Sequence, residues 1–474
     1  MQEDDLYSNF ELKGEWFLPN NEGQRIFGIL NFNSNTGVRL ELSGDFKDVN
    51  ILKGRKEDFD IILGITADNK KITLYDCSEI NHSKNFGENR IIGSTTYTIL
   101  YMFKGIHAFS KEKLTFNKVS ARIFNLDEWL GIFGLSKYTM PAEDNEYTID
   151  INYKLPDKIK FDIDATTTGY FDFTIHYPVM LGSFSRQLHL NQYAQVVFEF
   201  EKGLNIFEAL GYAFDFQCFL TFALYEATAI KAIKLTSEQH LEEYEPNKYA
   251  QVPIEVFYKP YSSSNVELKH RMFMLFTYKS IQSEFPSIIK KWYSNKELLG
   301  SCIDLVFEQF QNKRFSENTF LNLAQAAETF HARLYNHTKM PKDDYKKMKD
   351  DILSATPSIY HKWLNEQFNF GNNLNLHNRL SELVDKYSNL IIDKMILDKD
   401  LFIKQIKDSR NYYTHYSKSL EKKALKDSQL YYLSKKLQIL LVCAFLMEVG
   451  LPKHGLILSL DRLKHRYFYY LAEW

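Results

Sequence analysis

Apolar and polar residues alternate in short runs through the first two hundred positions. Arg25–Phe32 and Gly37–Gly44 alternate on either side of the turn-forming Asn33–Gly37 segment, which predicts a hairpin. Similar runs follow at Phe59–Ile65, Lys71–Asp76, Ile91–Phe103, Tyr147–Tyr153, Phe161–Ile175 and Tyr193–Glu201. Many short strands joined by polar turns predict an antiparallel, sandwich-like or barrel domain over 1–200. Asn205 and Glu208 then have the spacing of a capping box and open an apolar segment reaching about Ala229. Glu208, Asp215 and Glu226 interrupt it, so the pattern fits a buried helix and not a membrane span. Val252–Tyr258 and Met272–Tyr278 read as strands and Phe285–Tyr293 as a helix, making 201–312 an α/β connecting region with no assignable chemistry.

From Phe315 onward the period is helical throughout. Phe320, Leu323, Ala324, Ala327 and Leu334 share one face, and Pro341 follows. Helices are predicted over 343–354, 361–368, 376–392, 399–420 and 428–449, the last closed by Gly450 and Pro452. The expected fold class is therefore multidomain α+β, ending in an all-α bundle over 313–474.

The chain has 474 residues, 45% hydrophobic and 25% charged, as in ordinary globular proteins. Its acidic start has no apolar h-region, and the Leu437–Leu451 run is shorter than the roughly 20 residues a bilayer span needs. A cytoplasmic protein without membrane contact is expected. Cys77, Cys218, Cys302 and Cys443 are widely spaced, which predicts reduced, buried thiols. Net charge is −2, but residues 401–474 hold thirteen Lys/Arg against six Asp/Glu, leaving −9 on the rest. A basic C-terminal domain suits a polyanionic partner.

That domain also carries the most distinctive polar cluster. In the helix predicted at 399–420, Phe402, Ile406, Tyr413 and Leu420 form an apolar stripe. Asn411 and His415, four apart, point almost opposite it, with Arg410 on the flank. Imidazole moves protons near neutrality, and guanidinium grips phosphate oxygens with two donors. Together these groups suit RNA cleavage, in which the 2′-hydroxyl needs a base, the departing 5′-oxygen an acid and the phosphorane a positive charge. Lys404, Asp408 and Lys418 are expected on the same face, a solvated one by default, where Lys404 and Lys418 are candidates to touch RNA or a partner chain. Arg462, Lys464, His465 and Arg466 run into Tyr467–Tyr470, a mixture of cations and rings that suits either a site for single-stranded RNA or, for the rings, the packing seam of a last helix. Glu328 and His331 are polar intrusions beside the stripe of the first bundle helix. No group of His, Cys, Asp or Glu at metal-ligand spacing accompanies the motif, so neither metal nor cofactor is expected.

Arg410-Asn411-(three residues)-His415 resembles the Arg-x(4–6)-His signature of HEPN ribonucleases, and Arg410–Tyr416 resembles in particular the ApeA-type HEPN proteins of bacterial antiphage defence. Gly14–Pro19 with Gly28–Phe32 resembles the ApeA N-terminal domain, and Leu321–Tyr335 resembles the first helix of its HEPN domain. The resemblance implies a metal-independent endoribonuclease with Arg410, Asn411 and His415 in its active site. It further implies abortive infection by RNA cleavage, tRNA being the leading substrate class, with the β domain sensing a phage-derived trigger or holding the nuclease off. Each chain offers one well-placed histidine where the reaction needs an acid and a base, and the resemblance implies a homodimer with a composite site. The alternatives are a non-catalytic HEPN-fold scaffold that binds RNA or a partner, with a ligand-binding β domain, and a metal-dependent nuclease.

Overall fold

The Asn33–Gly37 segment closes a hairpin, with Asn33 opposite Gly37 and Phe32 opposite Val38. Gly37 has φ +78°, a backbone conformation that a side chain would strain. This hairpin belongs to the first of two compact units, Met1–Lys279 and Ser280–Trp474, in a computed structural model. The structure describes residues 4–46, 58–86, 91–139, 142–143, 146–147, 150–176, 190–261, 266–312, 314–335, 337–396 and 398–463.

Unit 1 is built on strands β1 (Phe10–Leu18), β2 (Asn21–Asn33), β3 (Gly37–Leu42), β4 (Phe59–Thr66), β5 (Lys71–Phe86) and β6 (Ile91–Lys104). They pair antiparallel in the order β6-β3-β2-β1-β4-β5, and β5 returns to β6, which closes a barrel. Trp16 fills its interior with 0% exposure, so it is a core residue. A Cβ at Gly64 would lie 2.3 Å from Trp16 ring carbons, so the indole rests directly on that backbone.

The far half of β6 pairs on the β3 edge with a second set of strands. These are β7 (Thr115–Ile123), β8 (Ile159–Asp162), β9 (Thr167–His176), β10 (Asn191–Asn205), β11 (Ile230–Thr236) and β12 (Ile254–Phe257). They continue from β6 in the order β12-β11-β7-β10-β9-β8. After the short helix α1 (Leu126–Leu130), helix α2 (Ile206–Leu224) packs on β7 and β10. The Asn205 side chain accepts from the Phe207 and Glu208 N–H groups, and Glu208 accepts from the Asn205 N–H, completing the capping box. The helix stops at Leu224, short of the expected Ala229, because Tyr225 turns left-handed at φ 51°. Met272–Tyr278 is not the expected strand. It holds 3-10 turns at Arg271–Phe273 and Tyr278–Ser280, and the Leu275 and Phe276 N–H groups donate to the Ala223 carbonyl at the end of α2 instead of to a ladder.

Unit 2 is helical: α3 (Phe285–Ser294), α4 (Lys296–Gln311), α5 (Glu317–Tyr335), α6 (Lys342–Ser354), α7 (His361–Gly371), α8 (Leu376–Met395), α9 (Lys399–His415), α10 (Asp427–Glu448) and α11 (Lys453–Leu463). α10 packs against α4, α5, α8 and α9. Its buried residues lie on every side, from Leu430 to Leu446, as a central helix requires. Among the described residues it is the one helix long and apolar enough to cross a membrane, and most of it is buried inside the bundle. The expected connecting region 201–312 is divided between the units, because α2, β11 and β12 join the first while α3 and α4 pack into the second.

Candidate functional site

Helix α9 begins at Asp398, whose carboxylate accepts the Leu401 N–H at 2.9 Å. Phe402, Ile403, Ile406 and Tyr413 bury its apolar side. The helix ends at His415, because Tyr416 is left-handed at φ 48° and returns its N–H to the Tyr412 carbonyl. The chain then folds back along α9. Ser409 Oγ accepts the Leu425 N–H at 3.0 Å, and Tyr413 Oη donates to the Leu425 carbonyl at 3.0 Å. This early stop corrects the expected helix to residue 420, and it removes Leu420 from the stripe and Lys418 from the helix face.

The three motif residues keep their helical relationship. Arg410 is half-buried, with Nη2 3.5 Å from Glu328 Oε2 on α5 and Nη1 3.5 Å from Asn411 Oδ1. Asn411 is half-exposed one turn before His415, and His415 is exposed. Among the described residues the His415 imidazole has no hydrogen-bond partner. Around the same end of α9, Tyr412, Tyr413 and Tyr416 form a ring cluster with centroids 4.9 to 6.2 Å apart. Tyr416, the residue after His415, is exposed, a feature that periodicity did not single out.

The other expected RNA contacts fare unevenly. Lys404 and Lys418 are exposed. Asp408 is buried, contrary to the expectation of a solvated face: α9 contacts α5, α8 and α10, so an angular position opposite one stripe is not automatically open to water. Arg462 is exposed and donates to Ser459 Oγ at 3.0 Å. Lys464, Arg466 and the rings of 467–470 lie outside the described residues. Part of the basic excess is internal, since Lys436 is buried and desolvation pushes the pKa values of Lys435 and Lys436 below the ordinary lysine value.

His331 does not join Glu328 at the motif. It is buried, with Nε2 2.8 Å from Glu382 Oε2, and the same oxygen lies 2.8 Å from His337 Nδ1. Burial pushes the pKa of His331 down, outweighing the upward pull of Glu382. Desolvation alone would raise that of Glu382, but hydrogen bonds to the two imidazoles hold it below the usual carboxylate value. A neutral His331 donating to an ionised Glu382 fits both directions. These residues are also a group of metal-capable side chains that local spacing did not reveal, because Glu382 comes from a different helix. The four cysteines are free and buried, as expected.

A closed β-barrel with an attached open sheet, followed by a helical domain with an Arg/His motif late in its order, defines a β-domain–HEPN architecture. The chain matches the family model of ApeA N-terminal domain 1 over residues 11–292 and that of the Apea-like HEPN domain over 321–454. It belongs to the ApeA-type HEPN family of antiphage proteins, whose HEPN domains are generally ribonucleases. No curated protein and no solved structure matches it.

Proposed function

We propose that the chain is a metal-independent endoribonuclease that cuts RNA, with tRNA as the leading substrate class, during abortive infection. The 2′-hydroxyl attacks the neighbouring phosphorus and loses its proton to a base, while the 5′-oxygen leaves with a proton from an acid. The products are a 2′,3′-cyclic phosphate and a 5′-hydroxyl. His415 transfers a proton, Arg410 holds the non-bridging oxygens with two donors, and Asn411 orients the imidazole or the phosphate. The observation that carries this reading is an exposed imidazole on the last residue of α9, with no hydrogen-bond partner among the described residues, five positions after a guanidinium tethered by Glu328. One chain supplies one such histidine, so we assign acid and base to two copies facing each other across a two-fold axis. Unit 1 then senses the phage-derived trigger.

Purified protein is incubated with total tRNA in EDTA beside His415→Ala and Arg410→Ala, and the new ends are analysed. Cyclic-phosphate ends made by the wild type and lost in both variants support the proposal. Cleavage unchanged in the variants overturns the site. RNA binding by the wild type without cleavage makes the bundle a binding scaffold.

A further inference from the structure

His331 Nε2, His337 Nδ1 and Glu382 Oε2 lie within 4.8 Å of one another. The residues come from α5, the turn after it and α8, so the folded bundle assembles the group. We propose that they bind a divalent transition-metal ion of the zinc class.

Two imidazoles and one carboxylate form a donor set that suits zinc, whereas calcium and magnesium prefer all-oxygen shells. Zinc takes such ligands at about 2.0–2.2 Å, which places tetrahedral ligand atoms about 3.4 Å apart. Both nitrogens are now 2.8 Å from the same carboxylate oxygen, so each must withdraw by about half an ångström to admit the ion. His337 is exposed and has room to do so.

The protons balance without an outside acceptor. An imidazole that ligates through one nitrogen carries its hydrogen on the other, so binding to the neutral form only moves that hydrogen within the ring. His331 Nδ1 is buried without a partner in either tautomer, so the exchange adds no new unsatisfied atom there. Among surrounding charges, Lys386 is engaged by Glu448 at 2.7 Å and leaves Glu382 to the histidines. Arg379 opposes positive charge at His331 and is tethered through Nε to the Leu374 carbonyl at 3.0 Å. Partial exposure of Glu382 and His337 leaves the fourth position to water. The ion is structural: it clamps α5 to α8 one turn beyond Glu328, and no step of the proposed RNA cleavage uses it.

The full-length protein is stripped with chelator, and zinc binding is measured by competition with a chromogenic indicator beside His337→Ala and Glu382→Gln. One ion per chain in the wild type, with binding at least ten-fold weaker in each variant and a zinc-dependent rise in thermal midpoint seen only in the wild type, supports the site. His337 is exposed, so its variant should stay folded, and circular dichroism checks this. Absence of stoichiometric binding by the wild type overturns the proposal, as does His337→Ala binding as tightly as wild type.

Discussion

Arg410 Nη2 is 3.5 Å from Glu328 Oε2, an ion pair that spans α9 and α5 with both side chains about one-third exposed. A pair this open to water stabilises the fold by at most about 1 kcal/mol. Its consequence for the site is orientation, since it restricts where the guanidinium can point. Under the proposed function, Glu328→Gln should therefore leave the unfolding midpoint almost unchanged yet slow RNA cleavage roughly ten-fold, as expected for about 1.4 kcal/mol of lost positioning. Arg410→Lys tests the same idea from the other side. It keeps the charge but loses the fork, and it should resemble Arg410→Ala in activity.

Tyr416, which follows His415 in the chain, presents an exposed ring. Base–aromatic stacking contributes about 1–3 kcal/mol per base, so Tyr416→Ala should raise KM for RNA by roughly ten- to a hundred-fold. Tyr416→Phe keeps the ring and should restore it. Equal losses in both variants would assign the effect to the helix end and not to stacking.

Lys404 and Lys418 are exposed on and just beyond α9. If they contact phosphates, Lys404→Ala and Lys418→Ala should each weaken binding of every RNA sequence alike. Each should also reduce the slope of log binding constant against log salt by about one. Titration at several salt concentrations reads this directly.

In unit 1, a methyl group on Gly64 would collide with the Trp16 ring at 2.3 Å. Gly64→Ala should destabilise the barrel by about 1–3 kcal/mol through overpacking. Trp16→Ala should cost about 3–5 kcal/mol by opening a cavity. Chemical denaturation followed by tryptophan fluorescence and circular dichroism distinguishes either from a neutral change.

Burial raises the pKa of Asp127 from its ordinary 3.8 to about 6, although the Ala194 N–H donates to it at 2.6 Å. The folded state therefore holds this proton more tightly than the unfolded state does. The stabilisation is complete below about pH 4 and is lost as pH rises through about 6. At pH 7.5 the buried carboxylate should cost on the order of 1–3 kcal/mol. Asp127→Asn retains the oxygen acceptor and should raise the thermal midpoint at pH 7.5, with the gain vanishing near pH 4.

The sequence revealed elements whose cause is local and obscured those whose cause is not. Alternation located β2, β3, β4 and β6, and the Asn205–Glu208 spacing located the start of α2 to the residue. β7 and β11 escaped notice because lysines and small residues break their alternation, and their place is secured by neighbours on both sides. The end of α9 depends on a left-handed tyrosine, a conformation with no signature in composition. His331, His337 and Glu382 meet only because α5 and α8 lie side by side. Likewise, a charge count treats Lys435 and Lys436 as surface cations, whereas packing desolvates both.

The stop at Tyr416 has a further meaning for control. Helices fray from their last turn inward, at a cost far below that of global unfolding. His415 occupies that terminal turn, while Arg410 lies more than a turn deeper and is tied to Glu328. Unwinding a few residues would separate His415, the proposed proton-transfer group, from Arg410, the proposed phosphate grip, without disturbing the bundle. The Ser409–Leu425 and Tyr413–Leu425 hydrogen bonds act against this, as a latch on the returning chain. If the proposed site is the active one, the fraction of time the latch is closed sets the fraction of molecules competent to cut.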